Sequence, residues 1–382
     1  MSERIPAEIF PPGEYLRDEL EERGWTQTEF AEIIGRPPRV INEIIAGKRG
    51  VTPETAREIS AALGTSAEFW MNLESVYQLW RTPRPDTKLI MRSAKLRERF
   101  PVREMINRGW IESSSNAEVI ETQVLSFYDL KSLDDEIHIP HAAKKNKNNY
   151  FGKEILPGQL AWLYRVKQIA LSISVPTYSE KALREALTQL RELLIAPEEI
   201  RHVPRIMMEC GIRFIIVESL PSAKIDGVCL WLNKASPVIG MSLARDQIDN
   251  FWFVLRHEIE HVLNKDGQEE GYVVDPDLSG ENAGTSTDLP EEERRANIAA
   301  SDFCVPSEKI ESFIIRKDPF FYEKDVIAFA ALQKVHPGLV VGQIQFRRNK
   351  YDWLRKHLVK IRQYLFPGAM VDGWGHVAPI SL

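Results

Sequence analysis

Cysteine is scarce: three in 382 residues, Cys210, Cys229 and Cys304, odd in number and far apart. That excludes a disulfide framework and a Cys-x-x-Cys zinc or redox motif, and each is expected to serve as a small buried hydrophobe. No apolar run approaches the ~20 residues that span a bilayer, so no membrane segment is expected. The opening MSERIPAEIF has no basic patch followed by an apolar stretch. No secretory signal is therefore expected, and a reducing cytoplasm is the expected compartment. Excess positive charge is missing too. With 49 Lys and Arg against 55 Asp and Glu, the formal net charge is −6. This argues against a protein that coats nucleic acid indiscriminately, while leaving room for a local basic face. Internal repeats and low-complexity tracts are also absent. What is present is 43% hydrophobic and 27% charged residues, enough to build substantial cores in a chain long enough for two or three domains.

Residues 1–80 read as five short helices. The first runs from about Gly13 to Arg23 and stops at Gly24. The second opens with Thr26-Gln27-Thr28-Glu29, a capping box, and ends at Gly35. The third follows directly after Arg36-Pro37-Pro38 and ends near Gly47. The fourth opens with Thr52-Pro53, an N-cap followed by proline at the first helical position. A second capping box is expected near Thr65-Ser66-Ala67-Glu68. Apolar pairs at helical spacing, such as Leu16 with Leu20 and Ile41 with Ile45, supply the buried face.

Composition shifts at 81–110, where nine Lys and Arg face three acids; the stretch reads as a basic linker leading into a helix. Residues 143–153 form a polar basic loop. Residues 157–200 are strongly helical, with Leu183, Leu187, Leu190, Leu193 and Leu194 on one face. Three runs then read as strands, 212–217, 228–232 and 238–243, predicted to form a small antiparallel sheet. A long helix starts around 246–250 and passes His261. An acidic loop at 266–292 leads to a helix at about 290–304, which stops before Pro306, and the remainder is mostly helical. The fold class is mainly α with a small β-sheet (α+β). The expected organisation is an N-terminal five-helix domain (1–80), a helical connector with the basic linker (81–200) and a C-terminal domain (201–382).

The sharpest motif is His257-Glu258-Ile259-Glu260-His261. Residues four apart share one helical face, so both imidazoles can address one ion. Glu258, about 100° round from His257, can serve as a general base. Zinc at a catalytic site needs a third protein ligand and a position for water. Acids cluster at Glu291, Glu292 and Glu293 on the next helix, whose small residues Ala296, Ala299 and Ala300 permit close packing. Glu293 is the expected ligand, with Glu292 as the alternative. Zn2+ would supply Lewis acidity while Glu258 takes up and returns the proton. The other histidines (His138, His141, His202, His336, His357, His376) show no ligand spacing.

Residues 200–350, through FWFVLRHEIEHVL, EERRANIAASDFCVP and FAALQKVHPGLVVGQIQ, resemble the ImmA/IrrE-type metallopeptidases. The resemblance implies a zincin-like C-terminal domain with His257, His261 and Glu293 as zinc ligands and Glu258 as base. It also implies action on a specific partner regulator instead of general digestion. Two positions depart from the family: Glu260 stands where a small residue is usual, and Ala299 where Phe is usual. The segments PPGEYLRDELEERGWTQTEFAEIIG and VINEIIAGKRGVTPETAREISAALGTSAEFWMNLESVYQLW resemble the HigA-like antitoxin branch of the Xre helix-turn-helix family.

In a helix-turn-helix the second helix of the pair enters the major groove. Arg39 and Asn42 are the candidate base readers, and Gln27, Arg36, Lys48 and Arg49 the candidate phosphate contacts. Residues 1–80 hold eight Lys and Arg against fourteen acids, but 36–49 reverse this with four bases against Glu43. That asymmetry suits a sequence-specific reader with a weak nonspecific grip. The expected protein is a DNA-binding regulator of antitoxin type fused to a zinc-dependent endopeptidase that cleaves a specific regulatory protein, a toxin or itself. The alternative is a non-enzymatic antitoxin or repressor whose metallopeptidase-like domain only binds a partner or senses a signal. Expected partners are double-stranded operator DNA, a specific protein substrate or cognate toxin, and a second copy in a homodimer; no membrane is expected.

Overall fold

The computed structural model describes residues 9–83, 85–137, 149–150, 153–268, 272–275 and 290–379. Most of the basic loop expected at 143–153 and of the acidic loop at 266–292 lies outside them, as do His138 and His141. The chain divides into two compact units, Met1–Ile90 and Met91–Leu382. Among the described residues no helix is long and apolar enough to cross a membrane.

The first unit holds α1 (Pro12–Arg23), α2 (Gln27–Ile33), α3 (Pro38–Ile45), α4 (Pro53–Leu63) and α5 (Ala67–Arg81). The caps account for most boundaries. Thr26 N donates to Glu29 Oε2 at 2.7 Å and Glu29 N donates to Thr26 Oγ1 at 3.2 Å, a closed capping box. Gly35, at φ 69°, makes the left-handed turn between α2 and α3 that a side chain would resist. Thr52 caps α4, with Pro53 at its first position. At α5 the expectation shifts by one residue. Ser66, not Thr65, accepts the Phe69 N–H, because the Thr65 hydroxyl is taken by the Trp70 indole N–H at 2.8 Å. Leu16, Leu20, Phe30, Ile41, Ile44, Ile59, Leu63 and Trp70 close the core.

The division falls within α6 (Thr87–Arg99), and the second unit goes on with α7 (Val102–Asn107), α8 (Ala117–Phe127), a short ribbon of β1 (Asn149–Tyr150) and β2 (Lys153–Glu154), α9 (Pro157–Ser172), α10 (Glu180–Glu192) and α11 (Val203–Glu209). Next come β3 (Arg213–Val217), β4 (Gly227–Trp231), β5 (Pro237–Met241), α12 (Ile248–Asn264), β6 (Tyr272–Asp275) and α13 (Glu291–Cys304). It ends with α14 (Ser307–Lys317), α15 (Glu323–Gln333), α16 (Pro337–Arg348), α17 (Arg362–Leu365) and β7 (Met370–Asp372).

The sheet is mixed and five-stranded, in the order β6-β4-β5-β3-β7, which corrects the antiparallel three-stranded expectation. β4 and β5 form an antiparallel hairpin, closed by Leu232 N donating to Ser236 O at 3.0 Å. This hairpin places β5 beside β3, and that pair runs parallel, Phe214 opposite Ile239. A strand from the C-terminal region that read as mostly helical, β7, adds parallel to the other side of β3.

Alternation sorts the strand residues between two cores. Ile215, Val217, Val228, Leu230 and Val238 share one with Leu96, Met105, Val124, Trp162 and Val166. Phe214, Ile216, Cys229, Trp231 and Ile239 share the other with Leu190, Phe251, Leu255 and Ile344. The compact-unit break falls near 90, and the helices of the segment expected as a connector pack on both faces of the sheet, α6 to α9 on one and α10 on the other. Asp372 locks that arrangement. Its buried carboxylate accepts from Arg165 Nε at 2.9 Å, Arg108 Nη2 at 3.2 Å, Trp110 Nε1 at 2.9 Å and Ala378 N at 3.1 Å. Cys210, Cys229 and Cys304 are free and buried.

Candidate functional site

α12 is sealed into the second unit by Phe251, Trp252, Val254, Leu255, Ile259 and Val262. Its remaining buried face carries His257 and His261, one turn apart, and α13 lies against it. On α13 the buried face is Glu293, Ala296 and Ala300, while Glu291 and Glu292 are exposed. The helix phase therefore brings Glu293, and not Glu292, to the histidines. His257 Nε2 lies 3.0 Å from His261 Nε2 and 3.2 Å from Glu293 Oε2, and His261 Nε2 lies 3.5 Å from Glu293 Oε1. Three donors bound tetrahedrally at 2.0–2.1 Å would stand roughly 3.3 Å apart, so this donor set and its spacing fit a zinc ion. All three residues are buried, as the burial of a cation in low dielectric requires of its ligands.

Glu258 is fully buried on the same helix. It packs against the start of β4, where a Cβ on Gly227 would stand 2.1 Å from Glu258 Oε1. Only glycine at 227 admits the carboxylate there, a requirement that nothing in the sequence signals. Glu260 turns away from the ligand set. Its Oε2 accepts from Arg256 Nη2 at 2.7 Å and its Oε1 from Asn264 Nδ2 at 2.9 Å. Burial would raise its carboxyl, but the Asn264 and Arg256 hydrogen bonds outweigh that and hold it below the ordinary range.

Sequence reasoning missed Asp266 and Arg295. Asp266 Oδ2 lies 2.9 Å from His261 Nδ1, and Arg295 Nη2 donates to the same carboxylate at 2.8 and 3.1 Å. Burial pushes the Asp266 carboxyl up, yet His261 and Arg295 together hold it below its usual value. Of the remaining described histidines, His336 caps α16 and His357 contacts Glu323, so both have structural partners.

In the first unit Arg39 and Asn42 lie on the outer face of α3, with Lys48 and Arg49 in the turn after it and Gln27 at the head of α2; all five are exposed. Arg39 is 87% exposed at its side chain, yet its Nε donates to Glu43 Oε1 at 2.7 Å. Arg49 Nε donates to the other Glu43 oxygen at 3.0 Å. These two hydrogen bonds, Arg39 first, hold the Glu43 carboxyl below its ordinary value. Arg36 differs from the rest. It grips Glu58 through Nε at 2.8 Å and Nη2 at 2.9 Å and reaches Glu54 at 3.2 Å, which ties the α2–α3 turn to α4. Glu43 enters the sequence reading only as the acid standing against these bases; its place four positions after Arg39, on the same helical face, makes it the partner of Arg39 and Arg49.

The helix-turn-helix family matches residues 16–70. An uncharacterized HTH-type transcriptional regulator of Escherichia coli, YddM, is 31% identical over 68 residues, covering 18% of this chain and 72% of the relative. Antitoxin HigA-1 of Vibrio cholerae is 39% identical over 72 residues, covering 18% of this chain and 67% of the relative. The solved Pseudomonas aeruginosa antitoxin HigA with the higBA promoter is 36% identical, covering 19% of this chain and 79% of its own, with a TM-score of 0.19.

Proposed function

Through residues 16–70 this chain belongs to the helix-turn-helix family, and from that premise we propose that it is a DNA-binding transcription regulator of the antitoxin type whose second unit carries a zinc-dependent endopeptidase centre. The DNA half is carried by the exposed outer face of α3. Arg39 pairs with guanine and Asn42 with adenine in the major groove, while Gln27, Lys48 and Arg49 hold phosphates. Arg36 is left out of the phosphate set because its guanidinium already holds Glu58 and Glu54. The regulator acts as a homodimer, since one helix-turn-helix reads half a palindrome. Its protein partner is a cognate toxin or a specific regulator.

The peptidase half rests on one observation: donor atoms of three residues from two helices meet within 3.0–3.5 Å, with Glu258 following His257 on the same buried helix. His257, His261 and Glu293 would hold zinc, which when bound supplies Lewis acidity at neutral pH. Glu258 takes a proton from the attacking water at its carboxylate and returns it to the departing amide nitrogen. A second reading, a metal centre that serves binding or sensing alone, draws on the depth of the site, where His257, Glu258 and His261 all show 0% exposure.

Glu258→Gln separates the two. The variant should retain stoichiometric zinc while cleavage of the bound partner or of the chain itself, read by mass spectrometry, falls about 10²–10⁴-fold. Unchanged processing would leave only the binding reading. For the DNA half, Arg39→Ala combined with Asn42→Ala should weaken binding to a cognate operator by roughly ten- to a thousandfold with folding intact. An unchanged operator titration would remove that half.

A further inference from the structure

The hydrogen-bond chain behind His261 goes further than the ligand set. Asp266 stands five residues after His261, in the turn that ends α12, and is anchored from three sides. Its N–H donates to His261 O at 2.9 Å. Its carbonyl accepts the Trp231 indole N–H at 3.1 Å. Its carboxylate accepts two bonds from Arg295, at 2.8 and 3.1 Å. So held, Oδ2 meets His261 Nδ1 at 2.9 Å. A neutral imidazole carries one N–H, and a carboxylate beside Nδ1 draws it there. Nε2 then keeps its lone pair, and Nε2 is the nitrogen that faces His257 and Glu293.

We propose that Asp266, clamped by Arg295, is the positioning residue that fixes the tautomer and ring orientation of His261 for metal binding. The proposal rests on the zinc-centre reading and adds a coupling to it. Arg295 follows Glu293 by two residues on α13, so the helix that supplies the carboxylate ligand also orients a histidine of α12. Loss of Arg295 acts through Asp266 without touching the ligand set. Carboxylate partners of this kind change metal affinity by roughly 10- to 100-fold when removed.

The test uses the full chain. With histidines labelled in ¹⁵N, the zinc-free protein above pH 8 should show His261 protonated at Nδ1. Asp266→Ala should move that proton to Nε2, and zinc affinity measured against a chromophoric chelator should fall about 10- to 100-fold. Asp266→Glu should recover part of the loss, and Arg295→Gln should give a smaller loss with the tautomer ratio shifted in the same direction. The thermal midpoint of the zinc-free Asp266→Ala variant controls for unfolding. An Nε2-protonated His261 in the unaltered chain overturns the proposal, as does an Asp266→Ala variant that binds zinc as tightly as its parent. Should the unaltered chain bind no zinc, the zinc-centre reading fails by itself, and the tautomer measurement still decides what Asp266 does to the ring.

Discussion

Two charge clusters, one in each unit, are held in opposite ways. Arg39 on the outer face of α3 and Arg49 in the turn after it share Glu43, with arginine side-chain exposures of 87% and 52%. In the second unit, Asp372 and Arg165 meet at 0% and 1% exposure, and the histidine–glutamate cluster is as deep. Exposed pairs are weak and screened by salt, so their arginines can exchange a carboxylate for a phosphate at little cost. A buried charge loses its hydration and has no substitute partner. The first arrangement suits a surface that binds and releases a polyanion; the second suits fixed geometry.

The sharpest break of this contrast is Asp372→Ala. It strips Arg165 of its counter-charge and leaves the Trp110 indole and the Ala378 N–H short of an acceptor. Removing one side of a buried pair costs about 3–5 kcal/mol, a large part of a typical domain's stability. The urea midpoint of the second unit should fall accordingly, while a probe in the first unit, such as Trp70 fluorescence, should report an unchanged transition. A shift below about 1 kcal/mol would mean that burial does not set the two regions apart.

What the sequence makes legible follows the same division. Helix starts such as Thr26 with Glu29, and the paired histidines of α12, depend on residues three or four apart, so local spacing announces them. The Asp372 cluster joins residues 207 and 262 positions apart, and no local pattern points to such a meeting. The parallel pairing of β3 with β5 and with β7 is hidden for the same reason. Thr65 fails differently. It has Glu68 three residues on and fits the capping-box pattern, but a tertiary contact with Trp70 takes its hydroxyl and passes the cap to Ser66. Asp266 is near in sequence yet silent, because a single aspartate in a turn carries no pattern until Arg295 is seen beside it.

Asp249 tests whether every buried carboxylate of the second unit is compensated. It lies in the first turn of α12, facing Gly342, and its Oδ1 makes no hydrogen bond among the described residues. Burial pushes its carboxyl up to about 6, against the pull of its local backbone hydrogen bonds. Folding thus favours the protonated acid. Below about pH 4 both folded and unfolded chains are protonated and nothing is lost. The penalty grows between about pH 4 and 6 and is complete above that. Asp249→Asn should therefore stabilise the unit by on the order of 1–2 kcal/mol at pH 7.5 and by almost nothing at pH 4. Equal gains in thermal midpoint at both pH values would show that the carboxylate is not strained by its surroundings.

The smallest expected effect lies on the open side of the contrast, at Glu43. Its carboxylate holds Arg39, the base reader, and Arg49, one of the phosphate contacts. On approach to any duplex it adds repulsion, which the base contacts of a cognate site can outweigh and a random sequence cannot. Glu43→Gln should raise affinity for a random duplex roughly three- to tenfold at 50 mM salt, and the gain should shrink toward nothing as added salt screens it. Operator affinity should rise less, so the ratio of specific to nonspecific binding falls. Should random-duplex affinity stay unchanged at low salt, Glu43 does not face the backbone, and α3 does not present Arg39 to DNA in the orientation proposed.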